Sequence, residues 1–310
     1  MNKHMLMIAG SDIDTFYQVE AFPMAGDGTM AKPLGDKVGG CVLNVAAISA
    51  ALGSDVKVID YLRADDEKTL WLVDEIKKKQ VDVSNLQYGK DVINGSCLIM
   101  QCKDEKCIFV IEPKRPFFEV DDKMQELLNN SSYIYSLMHT LMISFEQFDC
   151  LIKAKKNGAK IIFDGASQYT DIREAQIIVD LADGLFINKQ SYERLCAVLG
   201  YDVKELLEDK MEFICVTEGA NGATCYIKDN KYYSKAMKVE VIDSTGAGDS
   251  FAGCFLHFLN KGYDYEVCLK LAIVNGGYAC TVVGGNSGTL TEKELFDLAK
   301  KNNFEVGIWN

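Results

Sequence analysis

Asp243-Ser244-Thr245-Gly246-Ala247-Gly248-Asp249-Ser250-Phe251 is the stretch of this sequence with the clearest chemical content. An apolar strand pattern over 239–242 runs into it, and an apolar helical pattern over 247–259 follows at once. Glycines at 246 and 248 let backbone N–H groups turn toward an anion with no Cβ in the way. The helix N-terminus adds amides without intrahelical partners and a dipole that favours negative charge. Asp249 is out of place in a simple phosphate store, because a carboxylate repels a phosphate. It suits an alcohol attacking that phosphate, whose proton the carboxylate takes. The structural alternative is an acid that merely charges the first helical turn, and Gly-x-Gly-Asp alone does not separate the two.

Two further segments carry polar groups beside glycines. In Gly39-Gly40-Cys41-Val42-Leu43-Asn44-Val45-Ala46, paired glycines open a small-residue helix that ends near Gly53. They admit a ligand to the backbone, with Asn44 as both donor and acceptor; they equally admit close packing of the helix on a sheet. In Gly10-Ser11-Asp12-Ile13-Asp14, two carboxylates follow the end of the first strand. Open α/β sheets bind ligands beyond strand C-termini, where Asp12 and Asp14 would accept bonds from neighbouring hydroxyls. Aspartates also make turns.

The elements that must position these residues read as an α/β alternation. Strand patterns fall at 5–9, 56–61, 133–137, 160–164, 184–188, 213–217 and 239–242, with helical patterns at 68–79, 145–156, 172–181 and 190–199. This spacing predicts βαβ units and a mostly parallel sheet covered on both faces. Asn157-Gly158 suits a helix end. Residues 11–37 and 92–112 break the rhythm; the second reads as two strands around Lys103-Asp104-Glu105-Lys106. Together they form either a small antiparallel sheet projecting as a lid or long surface loops. We expect one domain over 1–310, with a lid from about 12–37 and 92–112. The last third is helical, at 247–259 and 265–280, and Thr291-Glu292-Lys293-Glu294 offers a capping box for a final helix.

Composition narrows the functional classes. The chain has 310 residues, 48% hydrophobic and 25% charged, enough for a substantial core. Its net charge of −12 supplies no general field for nucleic acid. Eleven cysteines, an odd number without a Cys-x-x-Cys pair, suit buried thiols in a reducing cytoplasm. Cys97, Cys102 and Cys107 cluster, but none of the three histidines lies nearby to complete a zinc set. The first apolar run is too short for a signal peptide, and no run approaches the ~20 residues of a membrane span. A cytoplasmic protein is expected. Neither Gly-x-x-x-x-Gly-Lys-Ser/Thr nor Gly-x-Gly-x-x-Gly after the first strand occurs, against a P-loop enzyme and a standard dinucleotide fold.

Taken in order, the glycine segments resemble the signatures of the ribokinase-like (PfkB) family of carbohydrate kinases. Asp243 to Phe251 is similar to its C-terminal signature and Gly39 to Ala46 to its N-terminal one. Glu20-Ala21-Phe22-Pro23 with Gly26 is similar to its lid strand, and Val216-Thr217-Glu218-Gly219 with Gly222 to its nucleotide turn. The likeness spans about residues 6 to 300. It implies a three-layer α/β/α sandwich with a mostly parallel central sheet and a β-sheet lid. It further implies ATP with Mg2+, and a sugar or nucleoside acceptor. On it, Asp249 matches the base and the amides of Gly246, Ala247 and Gly248 the anion hole. Asp14, Gly39, Gly40 and Asn44, with Asp12 beside them, match acceptor-binding positions. Asn188, Thr217, Gly219, Gly222 and Asn275 match nucleotide-binding positions, and Asp243 and Thr245 part of a monovalent-cation (K+) loop.

Two positions depart from the family pattern. Asn188-Lys189-Gln190-Ser191 stands where Asn-x-x-Glu is usual, with Glu193 on another helical face. Asp164-Gly165-Ala166-Ser167 lacks the Asn and the nearby Arg of Asp-Pro-Asn-x-Arg. The leading expectation is phosphorylation of a primary hydroxyl of a sugar, as in ribokinases and fructokinases. Nucleosides are the alternative, with Phe117, Phe118 and Tyr169 available as an aromatic slot. A phosphosugar is less favoured, with Lys114 and Arg115 as its cations, and a non-catalytic sugar-binding regulator is a third class. Lid strand edges suggest a homodimer; no nucleic-acid or membrane partner is expected.

Overall fold

Strand β1 (His4–Ile8) is buried along its whole length. Successive side chains leave opposite faces of a strand, so Met5 and Met7 enter one apolar cluster and Leu6 and Ile8 another. The same alternation recurs across the sheet: Tyr135, Ile162, Phe186 and Phe213 face the first cluster, and Ile134, Phe163, Leu185 and Ile214 the second. The protein is seen here as a computed structural model that describes residues 3–8, 10–103, 105–165, 172–282 and 289–304.

After β1 come β2 (Asp12–Val19), β3 (Ala31–Gly39), α1 (Cys41–Ala51), β4 (Val56–Ile59) and β5 (Tyr61–Arg63). Then follow α2 (Glu67–Lys78), β6 (Gln87–Gly89), β7 (Gly95–Cys102), β8 (Glu105–Ile111) and α3 (Asp122–Asn129). The middle holds β9 (Ser131–Leu137), α4 (Met138–Met142), α5 (Asp149–Lys156), β10 (Lys160–Asp164), α6 (Ile172–Leu181) and β11 (Gly184–Asn188). The remainder is α7 (Lys189–Leu199), β12 (Phe213–Thr217), β13 (Ala223–Ile227), β14 (Asn230–Ser234), α8 (Ala247–Asn260), α9 (Tyr265–Ala279) and α10 (Glu292–Lys301).

The large sheet has the order β14-β13-β12-β11-β10-β9-β1-β4. It is parallel from β4 to β12 and antiparallel at the β12–β13 and β13–β14 edge. Helices α1, α8 and α9 cover one face through Val45, Phe255 and Val274. Helices α3, α5, α6 and α7 cover the other through Leu128, Leu151, Ile178 and Leu195. The expected three-layer α/β/α sandwich is therefore present. Among the described residues no helix is long and apolar enough to cross a membrane. All eleven cysteines are free thiols.

A second sheet, β3-β2-β7-β8, gathers the two segments that broke the βα rhythm. Expected as antiparallel, it has a parallel central pair, β2 with β7. The strand expected at 239–242 does not form. Ile242 instead donates its N–H to Cys280 O at 2.8 Å, and Val241 and Ile242 are each 63% exposed. The sheet edge is taken by the β13–β14 hairpin, whose alternating residues flank a turn at Lys228-Asp229. The strand expected over 56–61 breaks at Asp60, whose Oδ1 accepts from Tyr61 N and Oδ2 from Ser11 N. Helix α5 starts only at Asp149, later than the pattern from 145 suggested. Gly158, at φ 87°, and the Thr291–Glu294 capping box form at their expected places.

Candidate active site

The chemistry-bearing residues gather at the C-terminal ends of the parallel strands, where two helix N-termini also meet. Gly40 precedes α1 and Gly246 precedes α8, and neither helix end receives a side-chain cap. The two helices cross closely because Gly253 replaces bulk: a Cβ there would press 2.9 Å from Val45 O. Ser49 Oγ donates to Gly253 O at 3.1 Å across the same contact. The small residues of the 39–46 segment thus serve packing, and the packing brings Asn44 to Asp249.

Asp249 is 9% exposed, and its Oδ2 accepts from Asn44 Nδ2 at 2.6 Å. Burial pushes its pKa up to about 7; the Asn44 bond and the Cys41 thiol pull it down, and the Asp164 charge raises it. Asp164 ends β10, 9% exposed, and accepts from Tyr135 Oη at 2.9 Å. Cys41 is kept protonated by burial and by the charges of Asp249, Asp164 and Asp12, which lift its pKa well above the usual thiol range. A carboxylate that titrates near neutrality inside a cleft is suited to general-base work.

Asp12 and Asp14 lie at the start of β2, and the pairing of the small sheet explains the glycines around them. Asp12 stands opposite Gly39 on β3 and Gly95 on β7, and Asp14 opposite Cys97. A Cβ at Gly39 would overlap the Asp14 carboxylate, and one at Gly95 the Asp12 carboxylate. Gly40, at φ 93°, lies so close to Gly10 that a Cβ would overlap its carbonyl. Burial, and then the Asp60 charge, raises the Asp12 pKa to about 6, against the pull of Arg115. Burial also raises Asp14, while the Cys97 thiol, Lys106 and Lys37 lower it.

Arg115 is the buried cation beside Asp12, and it is already matched. It forms an ion pair with Asp60, the two side chains 6% and 0% exposed. Its buried Nε has no hydrogen-bond partner among the described residues. Lys114 is exposed and joins Ile93 only through a backbone bridge. The pair considered as phosphate-binding cations is therefore half surface and half neutralised. The aromatic slot changes too: Phe118 is 6% exposed, stacked on Tyr61 and packed at a tilt against Phe145 in the core. Phe117 is exposed, and Tyr169 lies outside the described residues.

At the other end, Asn188 and Thr217 sit side by side at the ends of β11 and β12. Gly219 and Gly222 shape the turn into β13, with φ 56° and 95°; a Cβ at Gly222 would overlap Ser234 O. Asn188 caps α7, its Oδ1 accepting from Ser191 N at 2.9 Å. Ser191 is 5% exposed, while Glu193 faces solvent. Asn275 is 1% exposed, and its Nδ2 donates to Ser250 O at 2.9 Å, which ties α9 to α8. Gly246 takes φ 74°, and a Cβ at Gly248 would meet nothing within 4 Å, so the turn is open to a ligand. Ala247 N also donates to Ser244 O at 3.3 Å.

Asp243 and Thr245 form one unit, Asp243 Oδ1 accepting from Thr245 N at 2.9 Å and from Thr245 Oγ1 at 2.6 Å. Lys106, from β8, donates to Thr245 Oγ1 at 2.6 Å and lies 4.0 Å from Asp243 Oδ1. Sequence reasoning singled out neither Lys106 nor the Arg115–Asp60 pair as site features, and it left Cys41 without a role. The signal for Cys41 was its place between Gly40 and Asn44. Among the described residues no group of three or more His, Cys, Asp or Glu is arranged to hold a metal ion.

An open α/β sheet that presents an uncapped glycine turn and a buried acid under a second sheet has the architecture of small-molecule kinases. Residues 3–292 match the pfkB family of carbohydrate kinases, and the chain belongs to that family. It is an ATP-dependent carbohydrate kinase, a phosphotransferase with an alcohol group as acceptor. A nucleoside kinase of Methanocaldococcus jannaschii is 24% identical over 294 residues, 94% of each chain. A ribokinase of Dictyostelium discoideum is 26% identical over 288 residues, 84% of this chain and 88% of that protein. The structure of Arabidopsis thaliana ribokinase complexed with ribose and ATP has a TM-score of 0.83 at 19% identity, covering 97% of this chain and 99% of that one. At that identity the likeness shows the fold, a ribokinase-like one.

Proposed function

We propose that this kinase transfers the γ-phosphoryl group of ATP to a primary hydroxyl of an uncharged sugar, with Asp249 as the base. The observation that carries this reading is the Asp249 carboxylate itself: buried, held by Asn44, and at the open N-terminus of α8, where burial pushes its pKa up to about 7. In this reading 1–310 is one domain and the β3-β2-β7-β8 sheet is its lid.

Asp12 and Asp14 accept bonds from acceptor hydroxyls, and Asn44 and the backbone at Gly39 and Gly40 complete the cup. Asp249 takes the hydroxyl proton as the acceptor oxygen bonds to the γ-phosphorus and the bond to the bridging oxygen of ADP breaks. The amides of Gly246, Ala247 and Gly248 stabilise the charge that grows on the transferred group. Thr217, Gly219 and Gly222, with Asn188, line the nucleotide end, and buried Asn275 supports it by holding α9 to α8. Mg2+, which keeps waters and binds mainly nucleotide phosphates, neutralises phosphate charge when bound. The 243–245 unit is the proposed K+ loop, tested by a K+ titration of activity.

The preference for an uncharged acceptor rests on the cup. The Arg115 guanidinium beside Asp12 is matched by Asp60, and Asp12 and Asp14 add negative charge that disfavours a phosphosugar. A nucleoside is the second reading, supported by likeness to the archaeal nucleoside kinase over 94% of each chain. The exposed β8 edge, with Phe109 53% and Val110 74% exposed, supports a homodimer through the lid.

ATP-consumption assays over pentoses, ketohexoses, deoxy-ketoacid sugars and nucleosides, run with wild type and Asp249→Asn, test the proposal. Turnover of a sugar that is lost in Asp249→Asn with ATP binding kept is the expected result. Near-normal turnover in that variant removes Asp249 as the base, and tight sugar binding without turnover would favour a regulator.

A further inference from the structure

The site is rich in carboxylates: Asp12, Asp14, Asp164, Asp243 and Asp249 all stand in or beside it. A γ-phosphate brought here meets net negative charge unless a cation accompanies it. Most nearby cations are engaged elsewhere. Arg115 pairs with Asp60, Lys189 with Glu218 at 2.9 Å, and Lys37 lies 5.1 Å from the centre of the Phe16 ring. Lys106 differs. It projects from the small sheet, and its Nζ bonds to Thr245 Oγ1 at 2.6 Å, one residue before the left-handed glycine that opens α8. The Asp243 carboxylate is farther, at 4.0 Å, so the short bond goes to a neutral hydroxyl. Lys106 also exerts its charge on Asp14 in the cup. The ammonium, with three N–H donors, thus stands beside the anion-binding turn.

We propose that Lys106 is a lid-borne cation for the transferring phosphate: with nucleotide bound, its ammonium donates to a γ-phosphate oxygen at the 246–248 turn. This rests on the phosphotransfer reading above. The transition state of phosphoryl transfer spreads charge over the equatorial oxygens, and fixed donors in a water-poor site stabilise it. Carrying the cation on the small sheet makes charge stabilisation and water exclusion one event, so water is not phosphorylated in an open site.

The test compares wild type, Lys106→Met and Lys106→Arg by calorimetry with Mg2+ and either β,γ-imido-ATP or ADP, alongside steady-state kinetics on the sugar or nucleoside that the enzyme accepts. The Lys106 side chain is 45% exposed, so Lys106→Met keeps the fold, which thermal unfolding checks. Lys106→Met should weaken β,γ-imido-ATP ~10-fold and ADP less than ~2-fold, and lower kcat ~100-fold, with Lys106→Arg recovering most of each. Unchanged β,γ-imido-ATP affinity in Lys106→Met, or an equal loss for ADP, overturns the proposal. A wild type that phosphorylates no acceptor, yet shows a Lys106-dependent preference for β,γ-imido-ATP over ADP, sinks the phosphotransfer reading and with it the role of Lys106 in transfer, leaving only its contact with the γ-phosphate.

Discussion

Asn44 and Asp249 are 205 residues apart in the chain and joined by a 2.6 Å hydrogen bond. The bond links the two glycine segments that open α1 and α8, so in the proposed mechanism the acceptor side and the phosphate side of the cleft share one carboxylate.

A bond donated to the ionised carboxylate lowers its pKa. Losing Asn44 therefore lets burial raise Asp249 further, and the base is deprotonated only at higher pH. The kcat/KM profile should show an acid limb near 7 in wild type. In Asn44→Ala that limb should move up by about one unit, with kcat at pH 7 falling ~5-fold. A limb that stays put would show that Asn44 does not tune the base.

The same burial predicts a stability difference. The ordinary aspartate pKa of 3.8 is raised to about 7 in the fold. Below about pH 4, folded and unfolded chains both hold the proton. Between there and about 7 only the folded chain holds it, so stability from this position falls as pH rises. Above 7 the cost is complete, at most on the order of 4 kcal/mol. Asp249→Asn should therefore melt higher than wild type at pH 8, and the gain should vanish near pH 4. A gain that is the same at both pH values would mean that the carboxylate is not desolvated.

How much of this was legible in the sequence depends on how local each feature is. Asp249 and Gly246 share one turn, and the glycines at 39 and 40 open one helix, so both could be read from neighbouring residues. The βα rhythm was legible for the same reason. Pairs such as Lys106 with Thr245, 139 residues apart, and Arg115 with Asp60, 55 apart, have no local signature; the fold alone brings them together. Val241 and Ile242 misled because β-branched residues mark strands only when a neighbouring strand is free to pair. Here β13 and β14 already occupy that edge of the large sheet. The parallel β2–β7 pairing, which puts Cys97 beside Asp14, likewise depends on how two distant segments meet.

The glycines of the cup give a sharper test than the acids. Gly39→Ala would push the Asp14 carboxylate aside without changing the nucleotide end. The acceptor KM should rise ~10-fold while the KM for ATP stays within ~2-fold, as expected for loss of a ground-state contact. Gly40→Ala adds backbone strain at φ 93° and an overlap with the Gly10 carbonyl. It should lose roughly 2 kcal/mol or more in urea unfolding. Unaltered acceptor kinetics in Gly39→Ala would move the acceptor away from Asp14.

Arg115 and Asp60 should behave as a unit whose halves cannot be removed singly. Asp60 is fully buried and also accepts from Ser11 N and Tyr61 N, so Arg115→Met leaves a desolvated charge in the core. A loss of about 3–5 kcal/mol is expected in urea unfolding. Arg115→Met with Asp60→Asn should recover much of it, because an amide keeps an acceptor oxygen and carries no charge. The acceptor side should respond as well. Arg115 pulls the Asp12 pKa below where burial and Asp60 would put it, and that pKa is already about 6. Without the guanidinium, Asp12 is protonated over more of the range around neutrality and accepts fewer bonds from acceptor hydroxyls. The acceptor KM of Arg115→Met should then fall back toward wild type as pH is raised from 6 to 9; a KM defect independent of pH would make Arg115 a direct ligand of the acceptor rather than a partner of Asp12.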